Sequence, residues 1–227
     1  MHNKKIENLV WDSDFFGFKI GKVIIRQKST IDELQKIIKE SPYDMIQVFS
    51  KFPLQFYAKP IDTKLTFKKK ISNDKITHHN IKSYEDELND YLISLSQEAG
   101  LKSRYNKDSR LNFKFEKMYE TWINKSISRK LADEVYVYEK NKKIIGMITI
   151  VEKSDNAEIG LIAVSKDSRG TGLGTKLLES VENWGYNRNL KFVTVSTQKE
   201  NTEACKFYKK NGFLISNETF IYHIWNK

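Results

Sequence analysis

The segment that most constrains the fold of this chain covers residues 157–174 and reads AEIGLIAVSKDSRGTGLG. Its apolar stretch, residues 159–164, has the length and composition of a buried strand. The residues after the glycines, TKLLESVENWGYNR, place apolar side chains at the three- and four-residue intervals of a helix. The pattern therefore predicts a strand, a glycine loop and a helix in succession.

The glycine loop RGTGLG is a candidate cradle for a diphosphate. Amide groups in the first turn of a helix have no intrahelical acceptor, and the helix dipole adds partial positive charge there. The loop is not a P-loop, because Thr175 separates Gly174 from Lys176. It also lacks the GxGxxG spacing of dinucleotide-binding folds, since its glycines alternate singly. Taken alone, it is equally compatible with an ordinary strand-to-helix turn.

The composition is typical of a globular cytoplasmic protein. The 227 residues are 39% hydrophobic and 12% aromatic, which suffices for a packed core. No stretch approaches the roughly 18 apolar residues of a membrane span, and the N-terminal residues lack the apolar core of a signal peptide. The single cysteine, Cys205, has no partner for an internal disulfide. We therefore expect a cytoplasmic protein without membrane insertion.

The formal net charge of +10 raises the question of nucleic-acid binding. Apart from the run at residues 68–70, however, the lysines are scattered, and no basic stripe interleaved with aromatic residues is present. The charge pattern predicts no nucleic-acid partner. It is compatible with a solvated surface or with the capture of small anions such as nucleotides.

The chain is predicted to contain two domains, a small N-terminal α+β domain at residues 1–77 and a larger one at residues 78–227. In the first, the opening residues favour two strands around FFGF, and a helix and two more strands follow. Trp11, Phe15 and Phe16 are expected core residues, because aromatic side chains supply much of the buried area of a core.

The second domain is predicted to begin with a helix capped by Ser83 and ended by Gly100. The basic segment LKSRYNKDSRLNFKF has neither helical nor strand period and suits a binding loop. A further helix and three antiparallel strands precede the glycine loop and its helix. A strand, a short helix and a last strand close the chain, and this last strand is a candidate edge for pairing in a homodimer.

Residues 159–213 resemble the GNAT N-acetyltransferase superfamily. RGTGLG fits the superfamily's pyrophosphate loop, and NTEACKFYKKNGF fits its Asn-x-x-Ala-x-x-Phe-Tyr-x-x-x-Gly-Phe segment. The two motifs occur in the superfamily's order, each in the predicted structural context. The resemblance implies the GNAT fold, an α+β to α/β fold whose central mixed, mostly antiparallel sheet is flanked by helices.

Further motifs resemble the family of TDP-fucosamine acetyltransferases of enterobacterial common antigen synthesis. They are WDSDFFG, SRY at residues 103–105 followed by Asp108, MYETWINKS, IGLIAV and VSTQKENTEACKFY. This resemblance implies acetyl-CoA as cosubstrate and no metal. It also implies an acceptor, the amino group of a dTDP-linked 4-amino-4,6-dideoxyhexose used for surface polysaccharide such as O-antigen or common antigen.

The superfamily resemblance also implies which residues bind acetyl-CoA. Backbone groups at the end of the strand would hold the pantetheine arm, the glycine loop would hold the pyrophosphate, and the NTEACKFY helix would line the rest. The residues concerned are Ile162, Ala163, Val164, Arg169, Gly170, Thr171, Gly172, Leu173, Gly174, Thr175, Asn201, Ala204 and Tyr208.

Acetyl transfer from a thioester to an amine by direct attack needs a proton for the departing thiolate. Tyr208 is the predicted general acid, because a phenol with a pKa near 10 stays protonated at neutral pH. Glu158 lies where several GNAT enzymes have a carboxylate base, although a solvated glutamate and a water relay are alternatives. His78, His79 and His223 are weaker candidates.

Arg104, Tyr105 and Asp108 are the predicted acceptor-binding residues. An arginine can bind a phosphate with two parallel hydrogen bonds, and a tyrosine can stack on a ring or bond a sugar hydroxyl. A salt-bridged surface loop is the structural alternative. The leading partner is a nucleotide-linked amino sugar.

Two other functions stay open on the sequence. One is acetylation of another amine, such as a protein N-terminus, a polyamine or an aminoglycoside, and the other is a non-catalytic binding module on a GNAT scaffold. An acidic acceptor cleft would favour the cationic amines, whereas a basic one would favour a nucleotide sugar.

Overall fold

A single ten-stranded sheet runs through the computed structural model, which describes residues 6–26, 31–55, 59–72 and 78–226. The strands are β1 (Glu7–Asn8), β2 (Ile20–Ile25), β3 (Met45–Ser50), β4 (Asp62–Lys70), β5 (Ile81–Ser83), β6 (Glu134–Lys140), β7 (Lys143–Lys153), β8 (Asn156–Val164), β9 (Phe192–Gln198) and β10 (Leu214–Trp225). Their order across the sheet is β1-β2-β3-β10-β4-β9-β8-β7-β6-β5.

Seven helices are described around the sheet. They are α1 (Val10–Phe16), α2 (Ile31–Lys39), α3 (Asp90–Gly100), α4 (Arg104–Lys107), α5 (Phe115–Ile127), α6 (Leu173–Tyr186) and α7 (Thr202–Lys210). None of these helices is long and apolar enough to cross a membrane.

Most neighbouring strands are antiparallel, and the pairs β2–β3 and β8–β9 are parallel. This arrangement confirms the predicted mixed, mostly antiparallel sheet. Helices α3 and α5 pack on one face of the sheet with residues such as Met147 and Ala163. Helix α6 and Tyr208 of α7 pack on the other face, against residues such as Phe67, Ile148 and Val195. The alternation of side chains along each strand separates these two cores.

Strands that precede residue 77 in the chain and strands that follow it belong to the same sheet. Strand β10 pairs with β3 on one side and with β4 on the other, and β4 also pairs with β9. The division at residue 77 stays a prediction about domain organisation. The last strand is not the edge of the sheet that was expected, because β10 pairs with β4 over residues 214–221 and with β3 over residues 220–225. The homodimer itself stays a prediction.

Two local predictions are corrected by the structure. The first strand expected before FFGF is helix α1, in which Trp11 and Phe15, four residues apart, stack at 4.9 Å. The helix expected from Ser83 begins at Asp90 instead, because the Asn89 side chain accepts a hydrogen bond from the Leu92 amide and caps it there. Ser83 lies in β5.

The basic segment predicted as an irregular loop contains the short helix α4 and a 3-10 turn, Asn112–Lys114. Phe16 is buried as expected, and Trp11 and Phe15 pack against the same cluster without being fully buried. This cluster joins α1, β2, β3, α4 and α5. It therefore fixes the position of α4 over the sheet.

Candidate active site

Strands β8 and β9 separate part-way along their length. Their parallel pairing runs from Asn156 opposite Phe192 to Ile159 opposite Val195 and then stops. Strand β8 continues to Val164 with β7 as its hydrogen-bonding neighbour, so one backbone edge of residues 160–164 faces the gap between the strands. This gap, which we call the sheet opening, contains the predicted pantetheine-binding residues Ile162, Ala163 and Val164.

A bulge in β8 shapes the sheet opening. The register with β7 changes between Ile148 opposite Ile162 and Ile150 opposite Ile159, which leaves an extra residue in β8. The Thr149 hydroxyl accepts a hydrogen bond from the Leu161 amide at 2.8 Å, and a Cβ at residue 160 would lie 2.8 Å from the same oxygen. The bulge therefore needs glycine at position 160.

The glycine loop follows directly and ends at the start of α6. Gly170 and Gly172 have φ values of +78° and +84°, in the left-handed region that favours glycine. The Lys176 amide bonds the Gly172 carbonyl at 3.2 Å, so the amides of residues 173–175 precede the first intrahelical bond. These amides can bind an anion, as the sequence predicted for Leu173, Gly174 and Thr175.

Gly174 also has a packing role. A Cβ at this position would lie 2.9 Å from Cζ of Phe207. The lack of a side chain at Gly174 therefore allows Phe207 of α7 to pack against the start of α6. A second glycine-loop contact comes from Thr171, whose hydroxyl donates to the Ser168 carbonyl at 2.7 Å. The loop is therefore ordered by its own contacts.

The Arg169 side chain is half exposed, and its guanidinium bonds other parts of the protein. Its Nε donates to the Val164 carbonyl at 3.2 Å, and its NH2 lies 2.9 Å from a carboxylate oxygen of Glu98 on α3. Lys166 bonds the same carboxylate, and hydrogen bonds from Lys166 and then Arg169 outweigh burial and lower the pKa of Glu98. The guanidinium thus joins the loop to α3 and to the end of β8.

Helix α7 flanks the sheet opening on the other side. The Asn201 side chain accepts from the Ala204 amide at 3.4 Å, so Asn201 caps the helix. Ala204 packs against the apolar core shared with Ile162 and Val164. The predicted contacts of Asn201 and Ala204 with acetyl-CoA stay predictions. A cavity of about 230 Å³ beside the glycine loop is lined by residues that include Thr171, Leu173 and Lys176.

Tyr208 lies on α7 with 4% of its surface exposed. Its ring contacts Phe67, Phe207 and Phe213, with centroid distances of 5.3–5.9 Å. Burial raises the pKa of Tyr208. The phenol is therefore neutral at physiological pH, and in that state it can donate a proton or a hydrogen bond but cannot act as a base.

Glu158 lies at the start of β8, one residue before the last pair of the β8–β9 ladder. Its carboxylate is 2.6 Å from the Lys153 ammonium, and 41% of its side chain is exposed. Burial lowers the pKa of Lys64 on β4, and the negative charge of Glu158 opposes that shift. Glu158 therefore faces the polar surface of the sheet near Lys64, although its hydrogen-bonded partner is Lys153.

The predicted acceptor residues Arg104 and Tyr105 belong to one hydrogen-bonded chain. NH2 of Arg104 donates to the Tyr105 hydroxyl at 2.7 Å and to Oε1 of Gln47 at 3.4 Å. The Tyr105 hydroxyl in turn donates to Asp12 at 3.2 Å. Burial raises the pKa of Asp12, while the bond from Tyr105 and the charge of Arg104 oppose the shift.

Asp108 is held in a separate set of contacts. Its Oδ2 lies 2.6 Å from Nδ1 of His223 and 3.2 Å from Nε1 of Trp225, and its Oδ1 accepts from the Arg110 amide. Although burial alone would raise the pKa of Asp108, the bond from His223 and the Arg110 amide lower it. Asp108 therefore orients His223 and Trp225.

Several buried polar atoms in this region have no hydrogen-bond partner among the described residues. They are Gln47 Nε2, Asp62 Oδ1, Arg104 Nε and His223 Nε2. Gln47 and His223 are opposite each other in β3 and β10, and Asp62 is opposite Ile221 in the next ladder. Buried polar groups in folded proteins are nearly always satisfied, so this cluster is typical of a ligand-binding surface. We call it the polar cluster.

Packed side chains connect the polar cluster to the sheet opening. Leu161, in the bulge of β8, packs against the aromatic group that contains Tyr105 and Tyr119. The charge of Arg104 acts on both Asp62 and His223. The structure thus brings Arg104 and Tyr105 together with residues from β3, β4 and β10 on one face of the sheet.

Sequence reasoning missed Asp12, Gln47 and Asp62 and gave His223 only a minor place. A usable signal was present for Gln47, a polar residue inside the apolar strand MIQVFS, of which 1% is exposed. Of the two other histidines considered, His78 bonds Glu179 of α6 at 2.5 Å, and His79 is exposed in a turn. Cys205, which lies on α7, packs against the core, and burial raises its pKa.

A split parallel strand pair with a glycine loop at its open end offers an unpaired backbone edge and free helix-start amides, which can bind an extended ligand that carries a diphosphate. The sequence matches the acetyltransferase (GNAT) family over residues 99–213. The chain belongs to this family, whose members are acetyl-CoA-dependent acetyltransferases.

Individual relatives are more distant. A spore coat polysaccharide biosynthesis protein, SpsD, of Bacillus subtilis (strain 168) is 24% identical over 59% of this chain and 46% of its own length. A dTDP-fucosamine acetyltransferase of Escherichia coli O6:H1 is 26% identical over 46% of this chain and 45% of its own length. The chain thus spans about half the length of these curated relatives.

Among solved structures, a GCN5-related N-acetyltransferase from Sphaerobacter thermophilus superposes with a TM-score of 0.51. The superposition covers 86% of this chain and 65% of that one at 15% sequence identity. This likeness concerns the fold, and it confirms the predicted GNAT fold.

Proposed function

We propose that this protein transfers the acetyl group of acetyl-CoA to the amine of a nucleotide-linked amino sugar. The observation that carries the acceptor part of the proposal is the polar cluster beside the sheet opening. Its buried atoms include a carboxylate oxygen of Asp62, an Nε of Arg104 and an Nε2 of His223. Such a mixture of donors and acceptors suits a ligand rich in hydroxyl and phosphate groups.

The donor side fits acetyl-CoA on three observations. The backbone edge of β8 at residues 160–164 faces the sheet opening, and the amides of residues 173–175 precede the first intrahelical bond of α6. Gly170 and Gly172 keep the approach to these amides free of side chains. Acetyl-CoA supplies the acetyl group as a thioester, and these backbone groups would bind its pantetheine and diphosphate parts.

Tyr208 is the proposed general acid. Its phenol is neutral and can donate to a sulfur atom as negative charge develops there. Glu158 is the proposed base, acting directly or through water, and its position on the sheet face near Lys64 supports this role. The proposed transfer proceeds by direct attack of the amine and needs no covalent nucleophile. Cys205 is packed as a thiol against the core.

We further propose a dTDP-linked 4-amino-4,6-dideoxyhexose, used for surface polysaccharide, as the acceptor. The net charge of +10 and the side chain of Arg104 favour an anionic acceptor over a cationic amine. The names of two relatives, a polysaccharide biosynthesis protein and a dTDP-fucosamine acetyltransferase, point in the same direction. Arg104, Tyr105 and Asp108 are the proposed acceptor-side residues, and cytoplasmic location and a homodimer stay predictions.

A thiol-release assay tests the proposal. The purified protein is supplied with acetyl-CoA and a panel of dTDP- and UDP-linked aminodideoxysugars, with spermidine and an aminoglycoside as cationic controls. We expect thiol release with a nucleotide sugar and a product mass increased by one acetyl group. Release with only the cationic amines would contradict the proposed acceptor, and no release with any amine would favour a binding module.

A further inference from the structure

Strand β10 extends beyond the start of β4 on the acceptor side of the sheet. The ladder between β10 and β4 ends at Ile221 opposite Asp62, while β10 continues to Trp225 against β3. Residues 222–225 therefore have one backbone edge outside the β4 ladder. A cavity of about 660 Å³ lies there, between these residues, residues 59–61 and the end of α4. We call it the β4–β10 cavity.

The rim of the β4–β10 cavity is basic and aromatic. Lys59, Lys107 and Arg110 line it together with Trp225. The guanidinium carbon of Arg110 lies 4.8 Å from the centroid of the Trp225 ring, and Lys107 bonds Glu200 at 2.6 Å. Three cationic side chains beside an aromatic ring offer both charge for phosphate groups and a flat surface for a base.

The wall of the cavity contains His223, whose side chain is 2% exposed. Nδ1 of His223 must donate to the Asp108 carboxylate, because a carboxylate can only accept, and burial lowers the pKa of the ring so that it is neutral. Nε2 then carries a lone pair, and it has no partner within the described residues. The matching partner for this atom would be an N–H or O–H group of a ligand.

The β4–β10 cavity is too far from the sheet opening to hold the reacting amine. Strands β4 and β9 lie between β10 and the opening. With neighbouring strands about 4.8 Å apart, the separation is roughly 12 Å. A group in the cavity is thus a remote part of a long acceptor whose other end reaches the opening across the polar cluster.

We propose that the β4–β10 cavity binds the nucleoside diphosphate part of the acceptor. Lys59, Lys107 and Arg110 bind the phosphates and Trp225 contacts the base, while His223 accepts a hydrogen bond from the nucleoside. Asp62 and Arg104 of the polar cluster then hold the sugar between the cavity and the sheet opening. This assignment rests on the proposed nucleotide-sugar acceptor and places its recognition outside the glycine loop.

Titration calorimetry with dTDP as the probe tests the assignment. We expect Lys59→Ala and Arg110→Ala each to weaken dTDP binding by about tenfold, while the Kd for coenzyme A stays within about twofold of wild type. Lys130→Ala, which removes an exposed lysine outside the cavity, is the matched control and should bind dTDP as wild type does. Both cavity substitutions are at the rim, where the fold tolerates change.

Glu200→Ala is a second test, because it should strengthen dTDP binding. The Glu200 carboxylate, whose side chain is 74% exposed, competes with phosphate for Lys107. Glu200→Ala should therefore lower the Kd for dTDP by about twofold to fivefold. A structural role of the Lys107–Glu200 pair would predict no tighter binding.

The outcomes separate the two proposals. If the enzyme acetylates a nucleotide sugar but the rim variants bind dTDP with wild-type affinity, the cavity assignment is wrong and the proposed function survives. If wild type does not bind dTDP and acetylates only amines without a nucleotide, the proposed function fails and the cavity assignment fails with it. Weakened dTDP binding in the rim variants alone supports both.

Discussion

The proposed donor and acceptor sides of the site are built in different ways. The donor side comes from one continuous stretch, residues 156–213, that runs through β8, the glycine loop, α6, β9 and α7. The acceptor side combines Asp12, Gln47, Asp62, Arg104 and His223, which come from five elements spread along the chain. The donor-side residues form a motif that can be recognised in the sequence, whereas the acceptor-side residues form none.

The two sides also differ in how their polar groups are satisfied. In the glycine loop, Arg169 and Thr171 bond to the protein itself, and the groups proposed to bind an anion are backbone amides. On the acceptor side, side-chain atoms of Asp62, Arg104 and His223 are buried without partners in the described residues. Burial of such atoms costs stability, so their retention indicates a function that uses them.

The largest expected effect lies on the donor side, at Tyr208. We expect Tyr208→Phe to lower kcat by about 10²-fold or more, because the proton donor is lost while the packed ring remains. The Kd for acetyl-CoA should stay close to that of wild type, as measured by calorimetry. Tyr91→Phe, at a half-exposed tyrosine of α3, is the control. An unchanged kcat would remove Tyr208 from the mechanism.

Arg104→Ala should have the next largest effect and should separate the two sides. We expect the KM for the nucleotide sugar to rise by about tenfold and the KM for acetyl-CoA by less than twofold, since a charged donor is removed from the polar cluster alone. Steady-state kinetics with each substrate varied in turn measures both values. Lys102→Ala, an exposed neighbour, is the control, and an equal rise in both KM values would point to a folding defect.

The acceptor side should also make stability depend on pH. Because the folded protein lowers the pKa of His223, the unfolded chain binds the proton more readily. His223 therefore contributes stability above its unfolded pKa near 6.5, and this contribution is lost as pH falls through the lower folded pKa.

Melting curves at pH 7.5 and pH 5 measure this dependence. We expect the fall in Tm to be larger for wild type than for His223→Asn by about 2–4 °C, which corresponds to roughly 1 kcal/mol in a chain of this size. Residues 156–213 on the donor side contain no histidine, so no histidine there adds to the change in Tm between pH 7.5 and pH 5. Equal falls in the two proteins would show that His223 does not titrate differently on folding.

Glu158→Gln is expected to have the smallest effect. The carboxylate is partly exposed and bonds Lys153, so its loss leaves a neutral amine and solvent water still able to react. We expect kcat/KM to fall by about threefold, with the largest loss at low pH, where fewer acceptor amines are neutral and a base is needed most. A kcat/KM equal to that of wild type and an unchanged pH profile between pH 6 and pH 9 would remove Glu158 as the base.

The sequence alone predicted the order of elements from β6 to β10, because strand and helix periods and turn residues are local properties. It also predicted the glycine loop with Gly170, Gly172 and Gly174, since backbone amides at a helix start need only neighbouring residues. It failed at α1, where aromatic residues spaced for a helix were interpreted as a strand, and at the start of α3, where Asn89 caps in place of Ser83.

Only the tertiary structure determined the acceptor side. Nothing in the local sequence indicates that β10 inserts between β3 and β4, which brings His223 opposite Gln47 and near Asp62. It also brings Asp108 to His223 across 115 residues of chain. A motif encodes a ligand site when consecutive residues form it, whereas a site formed by long-range strand pairing depends on the whole packing of the sheet.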